Sequence, residues 1–236
     1  MRKVYTAKVK NLHHVAPPEN FSELEGRLRF ITGRTLGEIC SSLKVSVPES
    51  TVHAKGFAGE LIEAVLGTDA DNAPEPDFTK LGLELKSVPV DQNFKPLEST
   101  FLCHVPLMGS CGQRFEDSAL YRKVKRILLV FVLAPRDLEM AQRKILGYIF
   151  WEPTHDDLQT IKGDYDELME MIETGNIGEI TARIGTIVQL RPKGANGREL
   201  TECIGPEGSI IRTRPRGFYM RRSFMQEIIS RARAPK

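Results

Sequence analysis

The sequence predicts an α/β protein with a mixed central sheet and flanking helices. Three observations carry that reading. Strand-like and helix-like segments alternate along most of the chain. The run Ile127–Leu133 is unbroken, apolar and rich in β-branched residues, as a strand buried on both faces requires. Asp156–Glu173 repeats apolar residues at helical spacing. With 236 residues, 41% of them hydrophobic, the chain can bury one large core or divide into two closely packed lobes.

The elements follow in order. After an irregular N-terminal segment, residues 1–20, which includes Pro17-Pro18, Ser22 is the expected N-cap of a helix to about Ile31. Thr35-Leu36-Gly37-Glu38 is a capping box that opens a second helix to about Leu43. Phe57, Leu61 and Val65 give Phe57–Leu66 a helical period, with Gly67 as its stop. Thr68–Pro76, rich in Asp, Asn and Pro, reads as a loop. Leu81, Leu83 and Leu85 alternate with Gly82, Glu84 and Lys86, which predicts a strand with its leucines on one face and Glu84 and Lys86 on the other. Further strands are expected at Thr100–Val105, Ile127–Leu133, Ile145–Trp151 and Thr186–Arg191, and a basic helix at Ser118–Arg126. Asp156–Glu173 is an acidic helix with Leu158, Ile161, Tyr165, Leu168, Met169 and Ile172 toward the core. Gly194–Arg216 reads as short strands, and Arg221–Arg233 as a last helix. A boundary between lobes fits the loops near 68–76 or 191–197, although the pattern is equally that of a single domain over 1–236.

Several classes are set aside. The longest apolar run, Ile127–Ala134, is far short of the ~20 residues of a membrane helix. Met1-Arg2-Lys3-Val4-Tyr5 is basic but no apolar stretch follows, so no secretory signal is expected. Cys40, Cys103, Cys111 and Cys203 contain no C-x-x-C pair, which points to reduced thiols in a cytoplasmic protein. His13, His14, His53, His104 and His155 do not combine with them into a structural zinc pattern. The net charge of +2 is uneven: Arg191–Lys236 holds 11 Lys and Arg against 4 Asp and Glu. A basic segment on a mildly acidic body suits a polyanion binder, and equally a solvated surface with uneven charge.

The most informative segment is Pro76–Lys86. Asp77 enters from a loop, Glu84 from a strand, and Lys86 lies two residues on, on the same strand face. Hydrolysing a phosphodiester requires an activated water, an offset for charge on phosphorus and a stabilised leaving oxygen. A Mg²⁺ ion on hard oxygen ligands assists all three, with Mn²⁺ as a substitute, and Asp77, Glu84 and the Leu85 carbonyl are candidate ligands. Lys86 is placed to orient the water, to lower its pKa or to offset phosphate charge. Glu63, late on the preceding helix, is a further candidate if that helix packs beside the strand. Asp, Glu and Lys are common residues, so the D-x₆-E-x-K spacing alone is a weak signal. Its competing reading is an exposed strand face with a Glu/Lys pair for solubility.

The wider pattern resembles the MutH family of mismatch-repair endonucleases, within the type II restriction endonuclease-like (PD-(D/E)xK) fold. Lys55-Gly56-Phe57-Ala58-Gly59-Glu60-Leu61-Ile62-Glu63 is similar to the family's KG-x-x-G-x-x-x-E helix, and Asp77–Asp91 to its catalytic strand. Pro96–Phe101, Lys123–Arg126, Ile180–Arg183, Arg191–Lys193 and Pro215–Tyr219 follow in family order, so the resemblance spans about residues 20 to 230. It implies a Mg²⁺-dependent endonuclease that nicks the unmethylated strand of hemimethylated GATC sites in double-stranded DNA, 5′ to the G. MutL is the implied activator and MutS acts through it, with no membrane partner. The two lobes, if present, would flank a DNA cleft.

By the same resemblance the catalytic set is Glu63, Asp77, Glu84 and Lys86, with Lys123 a basic residue near the active site. Lys55, Gly56, Phe101, Arg191, Pro192 and Tyr219 match positions that approach DNA. An Arg can read guanine bidentately, an aromatic can wedge beside a base, and a tyrosine can sense an adenine methyl. Lys193, Arg212, Arg214 and Arg216 suit phosphate contacts. From the residues alone, Phe101 and Tyr219 also fit core packing, as does Trp151. Two other functions fit the same residues: a free-standing GATC restriction endonuclease that cuts both strands, and a non-catalytic DNA-binding module.

Overall fold

The apolar and polar patterns resolve into fourteen helices and strands among the described residues of a computed structural model, which are 12–48, 56–70, 74–194 and 196–234. In chain order they are α1 (Phe21–Ile31), α2 (Leu36–Leu43), α3 (Phe57–Leu66), β1 (Glu84–Val90), β2 (Thr100–His104), α4 (Ala119–Val124), β3 (Ile127–Leu133), β4 (Ile145–Trp151), α5 (His155–Glu173), β5 (Val188–Pro192), β6 (Thr201–Ile204), β7 (Ile210–Thr213), β8 (Arg216–Met220) and α6 (Arg222–Arg233). They gather into two units, Met1–Glu98 with Arg126–Trp151, and Ser99–Lys125 with Glu152–Lys236. The loops at 68–76 and 191–197 each lie inside one unit.

The first unit is built on a mixed sheet in the order β1-β3-β4, with β1 parallel and β4 antiparallel to β3. β3 occupies the middle, which is why it carries no polar residue: Ile127 to Val132 are all buried. Leu24, Leu28 and Ile31 of α1, Ile39 of α2, and Phe57, Leu61 and Ile62 of α3 form one core with Leu83, Leu85, Leu128 and Val130. The second unit has an antiparallel sheet in the order β2-β8-β5 and a β6-β7 ribbon. Its core includes Tyr165 of α5, whose ring lies 5.5 Å from Phe115 and 5.7 Å from Phe218.

The predicted capping box opens α2: the Thr35 hydroxyl accepts from the Glu38 N–H, and Glu38 accepts from the Thr35 N–H at 2.7 Å. α1 starts earlier than expected, because Asn20 rather than Ser22 is its N-cap and accepts from the Glu23 N–H at 3.0 Å. The strand expected from Leu81 begins at Glu84. Thr79–Leu81 is a 3₁₀ turn, Gly82 sits at φ 58° in the left-handed region, and Phe78 pairs back onto Leu83. β5 begins at Val188 instead of Thr186, since the Thr186, Ile187 and Val188 N–H groups are all taken by the Asp164 carboxylate. Leu158, expected in the core, is only half-buried. β8 had no forecast of its own; it is the middle strand of the second sheet. No helix among the described residues is long and apolar enough to cross a membrane. Residues 1–11 of the N-terminal segment lie outside the described residues.

Candidate active site

Local geometry brings the predicted acidic residues to one edge of the first unit. The turn Phe78–Leu83 folds the chain back, so Asp77 returns beside the start of β1 and its Oδ2 accepts from the Leu85 N–H at 2.8 Å. Glu84 opens the strand, where its own N–H donates to the Arg126 carbonyl at 3.0 Å. Glu84 is 0% exposed. That figure decides against the solubility reading, because a carboxylate is not buried to keep a surface wet. Its Oε1 is paired with the Lys86 ammonium.

α3 supplies the third carboxylate. It begins at Gly56, held at φ 91°, and ends at Gly67, held at φ 79°. A Cβ on Gly67 would lie 2.5 Å from the Ala16 carbonyl oxygen, so no side chain fits there. On the strand-facing side, a Cβ on Gly59 would reach Ser87 Oγ at 3.5 Å and Glu63 Oε1 at 3.9 Å. Gly59 and Glu63 are four residues apart on one face, so the helix approaches β1 at glycine and turns Glu63 toward the strand. The apolar stripe of α3 gave no hint of this, because Glu63 lies off the Phe57, Leu61 and Val65 stripe.

The electrostatics tie the four residues together. Burial works against the Lys86 ammonium, but Glu84, Asp77 and Glu63 outweigh it and hold its pKa above the ordinary lysine value. Lys86 is therefore a cation at neutral pH, which suits it to offset phosphate charge rather than to accept a proton. Burial pushes the Glu63 carboxyl above its ordinary value, with Lys86 opposing and Glu60 adding to the shift. Three carboxylates against one ammonium leave an acidic surplus of hard oxygens, the chemistry a divalent cation takes. No group of three or more His, Cys, Asp and Glu side chains among the described residues is placed to hold a metal unaided. The donor set fits an ion that keeps several waters and takes two carboxylates, as Mg²⁺ does.

The remaining predicted residues separate. Lys55 lies outside the described residues. Gly56 caps α3 in the first unit. Lys123 is in the second unit, 8% exposed on α4. Phe101, Arg191, Pro192, Lys193, Arg216 and Tyr219 come together on the second unit's sheet. Phe101 pairs with Tyr219 across β2 and β8, and Pro192 with Arg216 across β5 and β8. The Phe101 and Tyr219 rings meet edge to face at 5.3 Å, with Lys193 Nζ 4.6 Å from the Phe101 centroid and the Arg191 guanidinium 5.6 Å from that of Tyr219. Neither aromatic is in the core: both are half-buried, while Phe218 and Met220 on the opposite face of β8 are buried. Burial lowers the Arg216 pKa from its ordinary value. Arg212 and Arg214 are exposed in and just beyond the β6-β7 ribbon. Trp151 is buried, as its core reading requires.

Three contacts on this sheet were not expected from the sequence. Ser99 Oγ is hydrogen-bonded to Arg191 Nη1 at 2.6 Å. His104 packs edgewise on Phe101 at 5.2 Å. Gly217 leaves room for Phe101, since a Cβ there would lie 2.6 Å from the ring. The alternation Gly217-Phe218-Tyr219-Met220 was the available signal for β8 and hence for the first and last of these contacts.

A mixed sheet whose first strand carries Glu84 and Lys86, entered by Asp77 and backed by a helix carrying Glu63, is the restriction endonuclease-like class of fold. Within that class, the family model described as "DNA mismatch repair enzyme MutH" matches residues 66–164. The "DNA mismatch repair protein MutH" of Shewanella woodyi (strain ATCC 51908 / MS32) is 42% identical over 215 residues, 91% of this chain and 93% of its own. Those of Serratia proteamaculans (strain 568) and Salmonella paratyphi B (strain ATCC BAA-1250 / SPB7) are 40% and 41% identical. These two alignments cover 91% and 92% of this chain and 94% of each relative. The chain belongs to the MutH family of DNA mismatch-repair proteins.

Proposed function

We propose that the protein is a cytoplasmic mismatch-repair endonuclease that nicks the unmethylated strand of hemimethylated GATC sites. Cleavage is 5′ to the G, requires Mg²⁺ and is stimulated by MutL in response to MutS. The observation that carries the catalytic reading is the Lys86 ammonium held among Glu84, Asp77 and Glu63.

Asp77 and Glu84, with the Leu85 carbonyl, would hold the Mg²⁺. When bound, the ion supplies Lewis-acid polarisation of the phosphate and a lowered pKa for a bound water. Lys86 contributes a fixed positive charge beside the scissile phosphate. Glu63 would hydrogen-bond the attacking water and accept its proton. Lys123, on α4, matches a basic residue that the family uses in DNA cleavage.

Recognition belongs to the second unit's sheet and to the start of α3. Arg191 and Pro192 approach the bases, Phe101 wedges beside them, and Tyr219 senses the adenine N6 position. Lys193, Arg212, Arg214 and Arg216 meet phosphates, and Lys55 and Gly56 match positions that approach DNA. The support for this assignment is the sharing of one sheet face by Phe101 and Tyr219 under Lys193 and Arg191.

Glu84→Ala and Lys86→Ala should abolish nicking of unmethylated GATC plasmid in Mg²⁺ while DNA retention in a gel shift persists. Cutting by Glu84→Ala at the wild-type rate would refute the metal assignment. Double-strand products without MutL stimulation would identify a free-standing restriction enzyme. Tight binding without cleavage in Mg²⁺ or Mn²⁺ would identify a binding module.

A further inference from the structure

We infer that Asp69, outside the catalytic set, is a positioning residue for Asp77, and that it couples the helix bearing Glu63 to the turn bearing Asp77. The inference rests on the reading of Asp77 as a metal ligand. Asp69 lies just beyond the end of α3, two residues after Gly67. Its backbone N–H donates to the Asp77 carbonyl at 2.9 Å. Its carboxylate reaches over the same turn: Oδ1 accepts from the Thr79 N–H at 2.9 Å, and Oδ2 from the Thr79 hydroxyl at 2.6 Å. The residue between, Phe78, is 1% exposed and pinned to Leu83 by a backbone hydrogen bond at 2.9 Å.

Asp77 is thus clamped on both sides along the chain, and its own side chain is aimed by the Leu85 N–H. The hydrogen bonds run in series through the site. The Glu63 carbonyl accepts from the Gly67 and Thr68 N–H groups, Asp69 grips Asp77 and Thr79, and Asp77 grips Leu85 next to Glu84. No ligand would touch Asp69. Its carboxylate is exposed and spends its acceptors on Thr79, so its side chain acts on Asp77 through the turn and not by direct contact. Asp77 enters from a loop, and a loop ligand has no helix or strand of its own to fix it, so an external clamp has a positional effect there.

The test compares Asp69→Ala, Asp69→Asn and Thr79→Val with wild type and Asp77→Ala. Mn²⁺ binding to the DNA-free protein is followed by electron paramagnetic resonance, alongside Mg²⁺ titration of nicking. Loss of a direct partner of a metal ligand weakens affinity by roughly 10-fold to 100-fold, and a side chain that acts through the turn belongs at the low end, about 10-fold. Asp69→Ala should weaken Mn²⁺ binding by that order and raise the Mg²⁺ needed for half-maximal nicking, with the rate at saturating Mg²⁺ largely restored. Asp69→Asn, which keeps the Oδ1 acceptor, should fall between it and wild type, and Thr79→Val should match Asp69→Asn. DNA affinity without metal should not change. If Asp77→Ala loses metal while Asp69→Ala binds it as wild type does, the clamp is structural and the inference fails. If Asp77→Ala itself binds Mn²⁺ normally, the underlying metal reading fails. A lower melting temperature with an unchanged metal titration would also overturn the inference.

Discussion

Glu63 and Lys86 carry opposite messages at the scale of single residues. Each sits where burial disfavours its charge, yet only Lys86 has enough opposite charge around it to reverse the effect. A carboxyl whose folded pKa is raised gives up its proton later in the folded than in the unfolded chain. Its ionisation therefore costs stability as pH rises from the ordinary carboxylate value through the raised one, and the cost persists above. Glu63→Gln removes that cost. The metal-free variant should melt higher than wild type at neutral pH, with the difference vanishing below the ordinary carboxylate range. Melting curves across that range check it, and an equal difference at all pH values would contradict it.

Asp164 shows at the level of elements what one side chain can set. It is 5% exposed on α5, and its oxygens accept from the Thr186, Ile187 and Val188 N–H groups at 2.6, 2.7 and 2.7 Å. It thereby fixes where β5 begins, and β5 ends on Arg191 and Pro192. Asp164→Ala would leave the Ile187 and Val188 donors buried without their acceptor, while the exposed Thr186 N–H can turn to water, at a cost of about 3 kcal/mol. The variant should lose that stability in urea, and the three amides should exchange faster. Unchanged exchange would show that the clamp is dispensable. Asp164 also marks the limit of sequence reading. It falls on the same stripe as Ile161 and Leu168, and a periodicity argument sees a polar residue there as an exception rather than as a cap for a distant strand. The capping box at Thr35 was legible because donor and acceptor lie three residues apart. β3 was legible because an unbroken apolar run has few other fates. The start of β1 was misplaced because the leucine alternation runs through Gly82, whose left-handed conformation breaks the strand. Asp77, Glu84 and Lys86 were legible as a spacing. The approach of Glu63 to the strand depends on how α3 packs against β1, which only the structure reveals.

At the scale of the whole molecule, the chain forms two compact units. The first carries the carboxylates and Lys86. The second carries the aromatic–cation face and the basic Arg191–Lys236 segment, so the uneven charge noted in the sequence belongs to the unit that would meet the polyanion. Phosphate contacts supply affinity that falls with salt, whereas the proposed methylation sensing would have to come from side chains near the bases. The central claim is a Mg²⁺-dependent site that acts only when at least one strand of GATC lacks its methyl group. It is tested most directly by strand-resolved nicking of hemimethylated and fully methylated GATC duplexes, with MutL, with and without Mg²⁺. The account predicts a single nick, 5′ to the G of the unmethylated strand, in the hemimethylated duplex with Mg²⁺ only. Cleavage without a divalent ion, or equal cleavage of the fully methylated duplex, would contradict it.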